Sequence, residues 1–510
     1  MPREESGQST SAWMVDESRP PLTPLLQDET ADVCIIGAGI AGMTTAYLLT
    51  QEGKSVVVLD DGRVAGGQTE RTTAHLSNAI DDRYTEIERL HGKEGARLAA
   101  ESHTEAIRRI EAIVAKEQID CDFERLDGYL FLPPGESTKV LEDEIAAAHR
   151  AGLTGVKWSE RAPLASFETG LCLRFPDQGQ FHPLKYLEGL TRAVRRDGGR
   201  IYTGSHAEAI EGGSTVLIPT TAGPSVRALA VVIATNTPIN DMVAIHTKQA
   251  PYRSYAIAAS VPRGSVATAL YWDTLDPYHY VRLEKKGTLA DHDLLIVGGE
   301  DHKTGQAHDH AERYARLEEW ARARFPAMKE VSFRWSGQVM ETVDGLAFIG
   351  PNPLDEKNVF IVTGDSGMGM THGTIAGILL TDLIKGRANP WAKLYDPSRK
   401  TIGAAGEFAK ENLNVAKQYT DWLTGGEVKS PEEIPPGSGA VMRRGLKKVA
   451  IYRDENKVVH ECSAVCPHLG CIVDWNDGEK TWDCPCHGSR FDCTGKVIDG
   501  PANSDLAPHG

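Results

Sequence analysis

Two cysteines and two histidines near the C-terminus have the types and the spacing that could hold a metal centre. They are Cys466 and His468, followed after fifteen residues by Cys484 and His487. Two thiolates and two imidazoles form the mixed ligand set of one kind of [2Fe-2S] cluster, in which the thiolates hold one iron and the imidazoles hold the other. Zinc also binds Cys2His2 sets, so the four residues by themselves leave both metal centres open.

The residues around the four ligands favour the iron-sulfur cluster. The two ligand loops read Cys466-Pro-His-Leu-Gly-Cys471 and Cys484-Pro-Cys-His-Gly-Ser489, and Gly500-Pro501-Ala502 follows them. This pattern closely resembles the Rieske [2Fe-2S] domain of the disulfide-containing type. The resemblance implies a disulfide bond between Cys471 and Cys486, and a cluster that is held by Cys466, His468, Cys484 and His487.

Two neighbouring residues bear on the reduction potential that this resemblance implies. A Ser489 hydroxyl that donates to a cluster sulfur would stabilise the reduced state and raise the potential. Relatives of the highest potential have a second donor, a Tyr, two residues later, whereas this chain has Phe491. We therefore expect an intermediate potential within the Rieske range of about −150 to +300 mV.

A dinucleotide-binding pattern occupies residues 31–60. An apolar strand leads into Gly37-Ala-Gly39-Ile-Ala-Gly42, a helical stretch follows, and a second apolar strand ends at Asp60. Gly37 suits the tight turn, Gly39 allows a pyrophosphate to approach the backbone, and Gly42 allows the helix to pack closely. Asp60 would accept a hydrogen bond from the ribose of an adenosine.

A second glycine-rich turn between a strand and a helix occurs late in the chain. Residues 358–363 form an apolar strand pattern that runs into Gly364-Asp-Ser-Gly367-Met-Gly369. Bare backbone amides at a helix start favour an anion or an electron-rich ring. Together with the first pattern, this resembles the D-amino-acid oxidase and glycine oxidase superfamily of FAD flavoproteins, over about residues 31–395. The resemblance implies flavin contacts by Gly364, Gly367, Met368, Gly369, Met370 and Thr371.

The same resemblance covers residues 66–74, which stand at the place of the family's second glycine segment. It implies flavin contacts by Gly67, Thr72 and Thr73, and a polar loop without such contacts is the alternative. His75 follows directly. Some relatives attach the flavin covalently to a His, but here we expect a hydrogen-bonded or surface His.

The arginines that bind a substrate carboxylate in amino-acid-oxidising relatives are missing from their usual places. This chain has Val339 after the segment Trp335-Ser-Gly337-Gln338, and Gly367 in the late glycine turn. Without the bidentate clamp of an Arg on a carboxylate, a plain α-amino acid is a poor candidate substrate. Arg253 or Arg282 could replace the clamp, or each could be a strand residue that faces solvent.

Three histidines, His302, His308 and His310, lie near one another in the chain with acidic neighbours. A mononuclear iron site would need two His and a carboxylate at suitable positions. No helix-spaced pair with a distant acid is evident. We therefore expect an exposed loop that precedes a helix over residues 311–325.

Length and charge indicate the broader organisation. At 510 residues the chain is too long to fold around one compact core, so two or three domains are expected. We expect an N-terminal arm (1–30), an oxidoreductase domain (31–400), a helix and linker (401–439) and a Rieske domain (440–510). The net charge of −16 argues against nucleic acid and anionic membranes as partners. No membrane span or targeting signal is evident, so the cytoplasm is the default location.

The two resemblances imply a fold that combines an α/β FAD-binding domain of the Rossmann-like, D-amino-acid oxidase type, an interleaved α+β substrate domain and a small all-β Rieske domain. The predicted function is that of an FAD-dependent dehydrogenase. It would oxidise a small substrate, of amine type, and pass the electrons through the cluster to an external acceptor. No catalytic residue is assigned, because hydride transfer from a neutral amine needs only positioning and flavin electrostatics. The alternatives are an NAD(P)H-fed or protein-fed redox carrier and an oxygen-using oxidase.

Overall fold

The computed structural model describes residues 7–15, 22–240, 245–285, 292–353 and 355–509. The helices are α1 (Ile40–Gln51), α2 (Arg83–Glu117), α3 (Lys139–Arg150), α4 (Pro183–Arg196), α5 (His310–Arg324), α6 (Gly369–Ile384), α7 (Ala392–Tyr395) and α8 (Ala405–Gln418). None of the helices in these ranges is long and apolar enough to cross a membrane.

The strands up to residue 400 are β1 (Glu29–Ile36), β2 (Val56–Leu59), β3 (His75–Leu76), β4 (Glu124–Phe131), β5 (Lys157–Ser159), β6 (Cys172–Gln180), β7 (Arg200–Tyr202), β8 (Val216–Pro219), β9 (Ser225–Ile233), β10 (Gln249–Pro262), β11 (Leu270–Asp273), β12 (His279–Glu284), β13 (His292–Lys303), β14 (Val331–Thr342), β15 (Phe348–Pro351) and β16 (Val359–Thr363). The later strands are β17 (Ser438–Arg444), β18 (Lys447–Arg453), β19 (Val459–Ser463), β20 (Asp474–Asn476), β21 (Thr481–Asp483), β22 (Arg490–Asp492) and β23 (Val497–Asp499).

The first sheet has the order β15-β16-β9-β1-β2-β7, with β8 on β9. Its centre is parallel, since β1 pairs with both β2 and β9 in that sense. The four residues of β2 and the last four of β1 are all buried, which is typical of parallel strands that are covered on both faces. Helices α1 and α6 lie against each other so closely that a Cβ on Gly377 would come within 2.6 Å of Thr44.

The second sheet has the order β14-β10-β13-β12-β11-β4-β6-β3, with β5 on β6. Its strands come from separate stretches of the chain, between which the strands of the first sheet are inserted. The prediction of two interleaved subdomains is therefore confirmed. Alternate residues of this sheet face either a cavity or a core beside α5, as period-two alternation requires.

The predicted all-β C-terminal domain is also confirmed. It contains a three-stranded sheet, β17-β18-β19, and a four-stranded sheet, β20-β21-β22-β23. Trp475, Trp482 and Phe491 are buried between them. The first strand begins at Ser438, close to the predicted boundary at residue 440, and Gly426 and Val428 form bridges with Met442 ahead of it.

The segments expected to be an arm and a linker pack against the domains. In the arm, Trp13 is buried and its indole N–H donates to the Thr72 carbonyl at 2.6 Å; residues 1–6 and 16–21 lie outside the described residues, and β1 already begins at Glu29. In the linker, α8 is held by the Asn412 amide, which donates to the Thr247 carbonyl at 2.9 Å. Composition alone did not indicate these contacts, because each depends on a distant partner.

Candidate functional site

A cavity of about 1040 Å³ lies between the two sheets. Its wall contains residues of all three glycine segments singled out in the sequence, together with residues of the C-terminal domain. The sequence-predicted residues that line it are Gly37, Gly39, Asp60, Gly67, Thr72, Thr73, Gly364, Gly367, Met368, Gly369 and Met370. One cavity thus brings together segments that are more than 300 residues apart in the chain.

The first glycine segment has the geometry that a pyrophosphate needs. Gly37 has φ +103°, a conformation that favours glycine, and a Cβ there would lie 2.4 Å from the Ala234 carbonyl oxygen. A Cβ on Gly42 would lie 1.9 Å from the Gly37 carbonyl oxygen, so Gly42 serves close helix packing and does not line the cavity. The N-terminus of α1 lines the cavity through Gly39, Ile40 and Ala41, and the positive end of a helix suits an anion.

Asp60 ends β2 at the edge of the same cavity. Its carboxylate accepts from the Ala38 N–H at 2.6 Å and from the Gly62 N–H at 2.8 Å. Burial, reinforced by the nearby charge of Asp61, raises the pKa of Asp60 to about 7. Each carboxylate oxygen keeps a second lone pair, which a ribose hydroxyl could use.

The second glycine segment faces the middle of the cavity. A Cβ on Gly67 would meet nothing within 4 Å, so a ligand has free access to this backbone. His75 also lines the cavity, and its ring hydrogen-bonds Thr73 at 3.0 Å. Burial lowers the pKa of His75 to about 3, so the imidazole is neutral. The expectation of a hydrogen-bonded His agrees with this position.

The late glycine segment leads into the N-terminus of α6, with Gly364 at φ +73° and Gly367 at φ +71°. Thr371 is the exception among the residues expected to touch the flavin. Its hydroxyl hydrogen-bonds the His103 ring at 2.9 Å and the Met368 carbonyl at 3.1 Å, and it lies behind the cavity wall. Both helix N-termini and the accessible Gly67 backbone line this one cavity, which fits an FAD molecule that spans it.

Acidic side chains form the wall of the cavity on the second sheet, and sequence reasoning did not identify them. Asp301 and Glu341 come from β13 and β14, and Asp81 lies just before α2. Asp81 is open to the cavity and accepts from the Tyr278 hydroxyl at 3.0 Å. We call Asp81, Asp301 and Glu341 the acidic wall.

The acidic wall has unusual protonation properties. The surrounding protein limits hydration, which raises the pKa of Asp81 to about 7 and that of Asp301 to about 6. Burial and the neighbouring carboxylates raise the pKa of Glu341 well above its usual value. A cation in the cavity would relieve this repulsion and favour the ionised forms.

The two arginines considered as substitutes for a carboxylate clamp lie elsewhere. Arg282 is buried and donates to the carbonyls of Thr73, Ala74 and Phe181, so it supports the backbone behind the cavity. Arg253 is buried between the domains and donates to the Ser336 hydroxyl at 2.7 Å. Both expectations for them, a substrate clamp and a solvent-facing position, are wrong.

The histidines expected in an exposed loop are divided by the fold. His302 lies on β13 and His310 begins α5, and each is only 8 % exposed. The Tyr255 hydroxyl hydrogen-bonds His310 at 2.5 Å. His308 alone of the three is exposed. The expectation of an exposed loop is wrong for two of the three, because β13 extends to include His302 and α5 begins at His310, which packs beside Tyr255.

The C-terminal loops bring together all four residues predicted to bind a cluster. The rings of His468 and His487 lie 5.0 Å apart, centroid to centroid, and Cys466 and Cys484 are buried beside them. The Cys466 N–H donates to the Cys471 carbonyl at 2.8 Å, which closes the first loop. A disulfide bond joins Cys471 to Cys486 and so ties the two loops together.

This arrangement fits a Rieske cluster. Within the described residues, the Nδ1 atom of His487 is buried without a hydrogen-bond partner, as expected of a ring nitrogen that a metal would occupy. Burial lowers the pKa of His487 to about 3, so the ring is neutral and able to act as a ligand. The Ser489 hydroxyl accepts from the Ala502 N–H at 3.0 Å, which leaves its own proton available for a sulfur.

The cluster site and the cavity share a wall. Residues 497–500, Ala502 and Asn503 of the C-terminal domain line the cavity beside the glycine segments. Ala502 is therefore in contact with both sites, through its cavity surface and through its hydrogen bond to Ser489. The His246 ring covers the ligands from the other side, 4.8 Å from His468 and 5.8 Å from His487.

A buried network of charges holds the two domains together. Glu479 of the C-terminal domain lies 3.5 Å from Arg71 and 3.7 Å from Arg253. Asp483 lies 3.8 Å from Arg253 and 3.2 Å from Arg490. All five side chains are nearly inaccessible to solvent, so the loss of any one of them would leave a buried charge without its partner.

Comparison with known proteins agrees with both sites. Residues 32–383 match the family described as FAD dependent oxidoreductase, and residues 426–509 match the Rieske [2Fe-2S] domain. The chain is 33 % identical over 506 residues to the Rieske 2Fe-2S iron-sulfur protein YhfW of Bacillus subtilis (strain 168), covering 97 % of this chain and 96 % of that protein. It is 27 % identical over 378 residues to gamma-glutamylputrescine oxidoreductase of Escherichia coli (strain K12), covering 72 % and 87 % of the two chains.

Among solved structures, glycine oxidase from Geobacillus kaustophilus superposes with a TM-score of 0.60 at 18 % identity, covering 73 % of this chain and 99 % of that one. This similarity concerns only the fold of the FAD-dependent oxidoreductase domain. The match over residues 32–383 spans well over half of the chain. The chain therefore belongs to the FAD-dependent oxidoreductases of the D-amino-acid oxidase type, carries a fused Rieske domain, and has FAD and a [2Fe-2S] cluster as its cofactors.

Proposed function

We propose that this protein is an FAD-dependent dehydrogenase for a small amine that is cationic at neutral pH. A carbon–hydrogen bond beside the amine nitrogen is broken, its hydride passes to FAD, and the substrate leaves as an imine. The two electrons then leave one at a time through the Rieske cluster to an external one-electron acceptor.

The observation that carries this proposal is the composition of the cavity wall. The glycine segments border one part of the cavity, the acidic wall borders another, and the Rieske domain borders a third. An amine substrate would therefore meet carboxylates where amino-acid-oxidising relatives have arginine. Coulombic attraction between a carboxylate and an ammonium at about 4 Å amounts to about 4 kcal/mol at an effective dielectric of about 20.

Two of the described cavity positions also favour an amine over an amino acid. Val339 and Gly367 line the cavity at the positions where the family resemblance would place a carboxylate-binding Arg. A Cβ on Gly367 would lie 2.5 Å from a carboxylate oxygen of Asp81, so an acid occupies the space beside that turn. A substrate carboxylate would be repelled here. The similarity to a protein named for gamma-glutamylputrescine is consistent with an amine, although that substrate is a property of the relative.

The chain's own residues position the substrate and exclude water. Tyr278 and Tyr280 line the cavity between Asp81 and Asp301, and the Tyr280 hydroxyl hydrogen-bonds the Ser254 hydroxyl at 2.8 Å. Aromatic walls with a few polar groups are typical of sites that orient a small organic molecule. A carboxylate of the acidic wall is placed to accept the proton that an ammonium must lose before hydride transfer.

Anaerobic titration of the purified holoprotein tests the proposal. The panel is 1,4-diaminobutane, butylamine, glycine and NADH, and flavin bleaching is followed together with the electron paramagnetic resonance signal of the reduced cluster. We expect an amine to bleach the flavin and the cluster signal to follow. Bleaching by NADH alone would favour a reductase, and rapid peroxide formation in air would favour an oxidase.

A further inference from the structure

Gln338 lies between the FAD cavity and the loop that binds the cluster. It belongs to β14, is 2 % exposed, and lines the cavity together with Gly337 and Val339. Its side-chain Nε2 donates to the Gly488 carbonyl at 2.9 Å. Gly488 directly follows the cluster ligand His487, so the Gln338 side chain links the cavity wall to the residue beside a cluster ligand.

The hydrogen bond to Gly488 determines which way the amide points. A backbone carbonyl only accepts hydrogen bonds, so the NH2 group must face Gly488 and the Oε1 atom must occupy the other position. Within the described part of the chain, that Oε1 is buried and has no hydrogen-bond partner. A buried carbonyl without a donor is unfavourable, and a ligand in the cavity would supply one.

The position of Gln338 is fixed from two further directions. Its backbone N–H donates to Gln68 Oε1 at 2.7 Å, and Gln68 Nε2 in turn donates to Asp499 at 3.1 Å. Gly488 has φ +81°, and a Cβ there would lie 2.6 Å from Pro251 and 3.0 Å from Gln338 Nε2. The two domains therefore meet at this point without room for a larger residue.

We propose that Gln338 couples the two cofactors: its Oε1 accepts a hydrogen bond from bound FAD, while its Nε2 holds the His487 loop, so that flavin-to-cluster electron transfer runs through this side chain. The inference rests on the proposed exit of electrons through the cluster. In each step one electron would leave the reduced FAD and convert the one reducible ferric iron of the cluster to ferrous iron. The external one-electron acceptor would reoxidise the cluster before the second step, and the protons of the reduced flavin would pass to water. Gln338 is a positioning residue and undergoes no chemical change.

The test uses Gln338→Leu, which removes both hydrogen bonds, and Gln338→Glu, which keeps an acceptor but loses the donor to Gly488. Gln306→Leu is the matched control. Gln306 Nε2 donates to the Pro485 carbonyl at 3.0 Å, in the same cluster loop, but Gln306 does not line the FAD cavity. Flash photoreduction of the holoprotein flavin starts the reaction without any substrate, and the rate of cluster reduction is recorded.

We expect Gln338→Leu to slow flavin-to-cluster transfer by about tenfold or more, since a hydrogen bond is lost at each end of the link. FAD content and cluster content should equal those of the wild type, and Gln306→Leu should remain within about twofold. Gln338→Glu should retain FAD contact but shift the cluster potential, because a carboxylate replaces a donor beside the His487 loop.

Unchanged transfer in both Gln338 variants would overturn the role of Gln338. If the Gln338→Leu protein loses a cofactor, the Gln338→Glu variant provides the test. A wild-type rate of flavin-to-cluster transfer together with a wild-type cluster potential in that variant would contradict the proposal. Failure of the proposed function is distinguishable. In that case amines would not bleach the flavin, or the wild type itself would show no flavin-to-cluster transfer after the flash.

Discussion

Removing the charge of Glu479 should loosen the contact between the oxidoreductase and Rieske domains. Glu479 is 2 % exposed, and its carboxylate accepts from the Ser9 hydroxyl at 2.6 Å and from the Ser9 N–H at 3.1 Å. Arg71 and Arg253 lie 3.5 and 3.7 Å away. Glu479→Ala would leave two buried guanidinium groups short of their counter-charge, with one acid, Asp483, still 3.8 Å from Arg253.

The size of the effect follows from this geometry. Removing one partner of a buried ion pair costs about 3–5 kcal/mol, because the remaining charge stays desolvated. Ser9, Arg71 and Arg253, which pair with the Glu479 side chain, lie outside the Rieske domain, so the cost falls on the interdomain contact. A loss of 3–5 kcal/mol lowers the docking equilibrium constant by about two to four powers of ten. Glu479→Gln keeps hydrogen-bonding capacity but lacks the charge, so the docking free energy that it loses should lie near the lower end of this range.

Limited proteolysis of the holoprotein and flash-induced electron transfer measure this opening. In Glu479→Ala we expect faster cleavage within residues 424–437 and slower flavin-to-cluster transfer, with both cofactors retained. Glu407→Gln is the control, because Glu407 pairs with Lys410 at 2.9 Å on the exposed surface of α8, and such pairs contribute little. Wild-type cleavage and wild-type transfer rates in Glu479→Ala would refute the reasoning.

Four further outcomes are expected. Cys466→Ser should abolish the Rieske paramagnetic signal and leave FAD bound, whereas zinc without acid-labile sulfide in the wild type would contradict the cluster assignment. Gly39→Val should yield protein with little or no FAD, since a larger side chain would occupy the pyrophosphate approach beside Thr69, and full FAD occupancy would contradict this role. Glu341→Gln should weaken calorimetric binding of 1,4-diaminobutane to the oxidised protein about tenfold. Binding to the wild type should tighten as pH rises through about 6–7, where Asp81 and Asp301 ionise. Binding that does not depend on pH would show that the acidic wall does not bind the amine. The pKa of Asp483 is lowered to about 2, as Arg490 and Arg253 outweigh the effect of burial, so the stability that Asp483 contributes to the folded protein should be complete above about pH 4 and lost as pH falls towards 2, and an unchanged acid-unfolding midpoint in Asp483→Asn would contradict it.

Features that depend on neighbouring residues in the chain were predictable. Gly37, Gly39 and Gly42 act within one strand-turn-helix unit, and the cluster ligands lie in two short loops. In both cases the chemistry constrains residue type at fixed spacing, so the pattern is visible without the fold. The interleaved pair of subdomains was implied by the resemblance to the D-amino-acid oxidase family, and the pairing of particular strands required the structure.

The acidic wall could not be predicted in the same way. Asp301 and Glu341 stand on β13 and β14, and Asp81 lies in the turn before α2. The order of strands in the second sheet and the position of that turn bring the three to one cavity. The same limit applies to Arg253, for which sequence reasoning left open a substrate clamp or a solvent-facing position and which the fold places at the domain interface.

The burial of the cluster ligands constrains how electrons leave this protein. His468 and His487 are 7 % and 5 % exposed, and His246 of the oxidoreductase domain packs against both rings. An external acceptor cannot touch these imidazoles while the domains remain docked. Docking is secured by buried ion pairs, and the cavity wall itself includes residues 497–500 of the Rieske domain. Under the proposed function, electrons from the flavin would therefore enter through the covered face of the cluster domain, and their exit would require a different face or an opening of the contact that Glu479 holds.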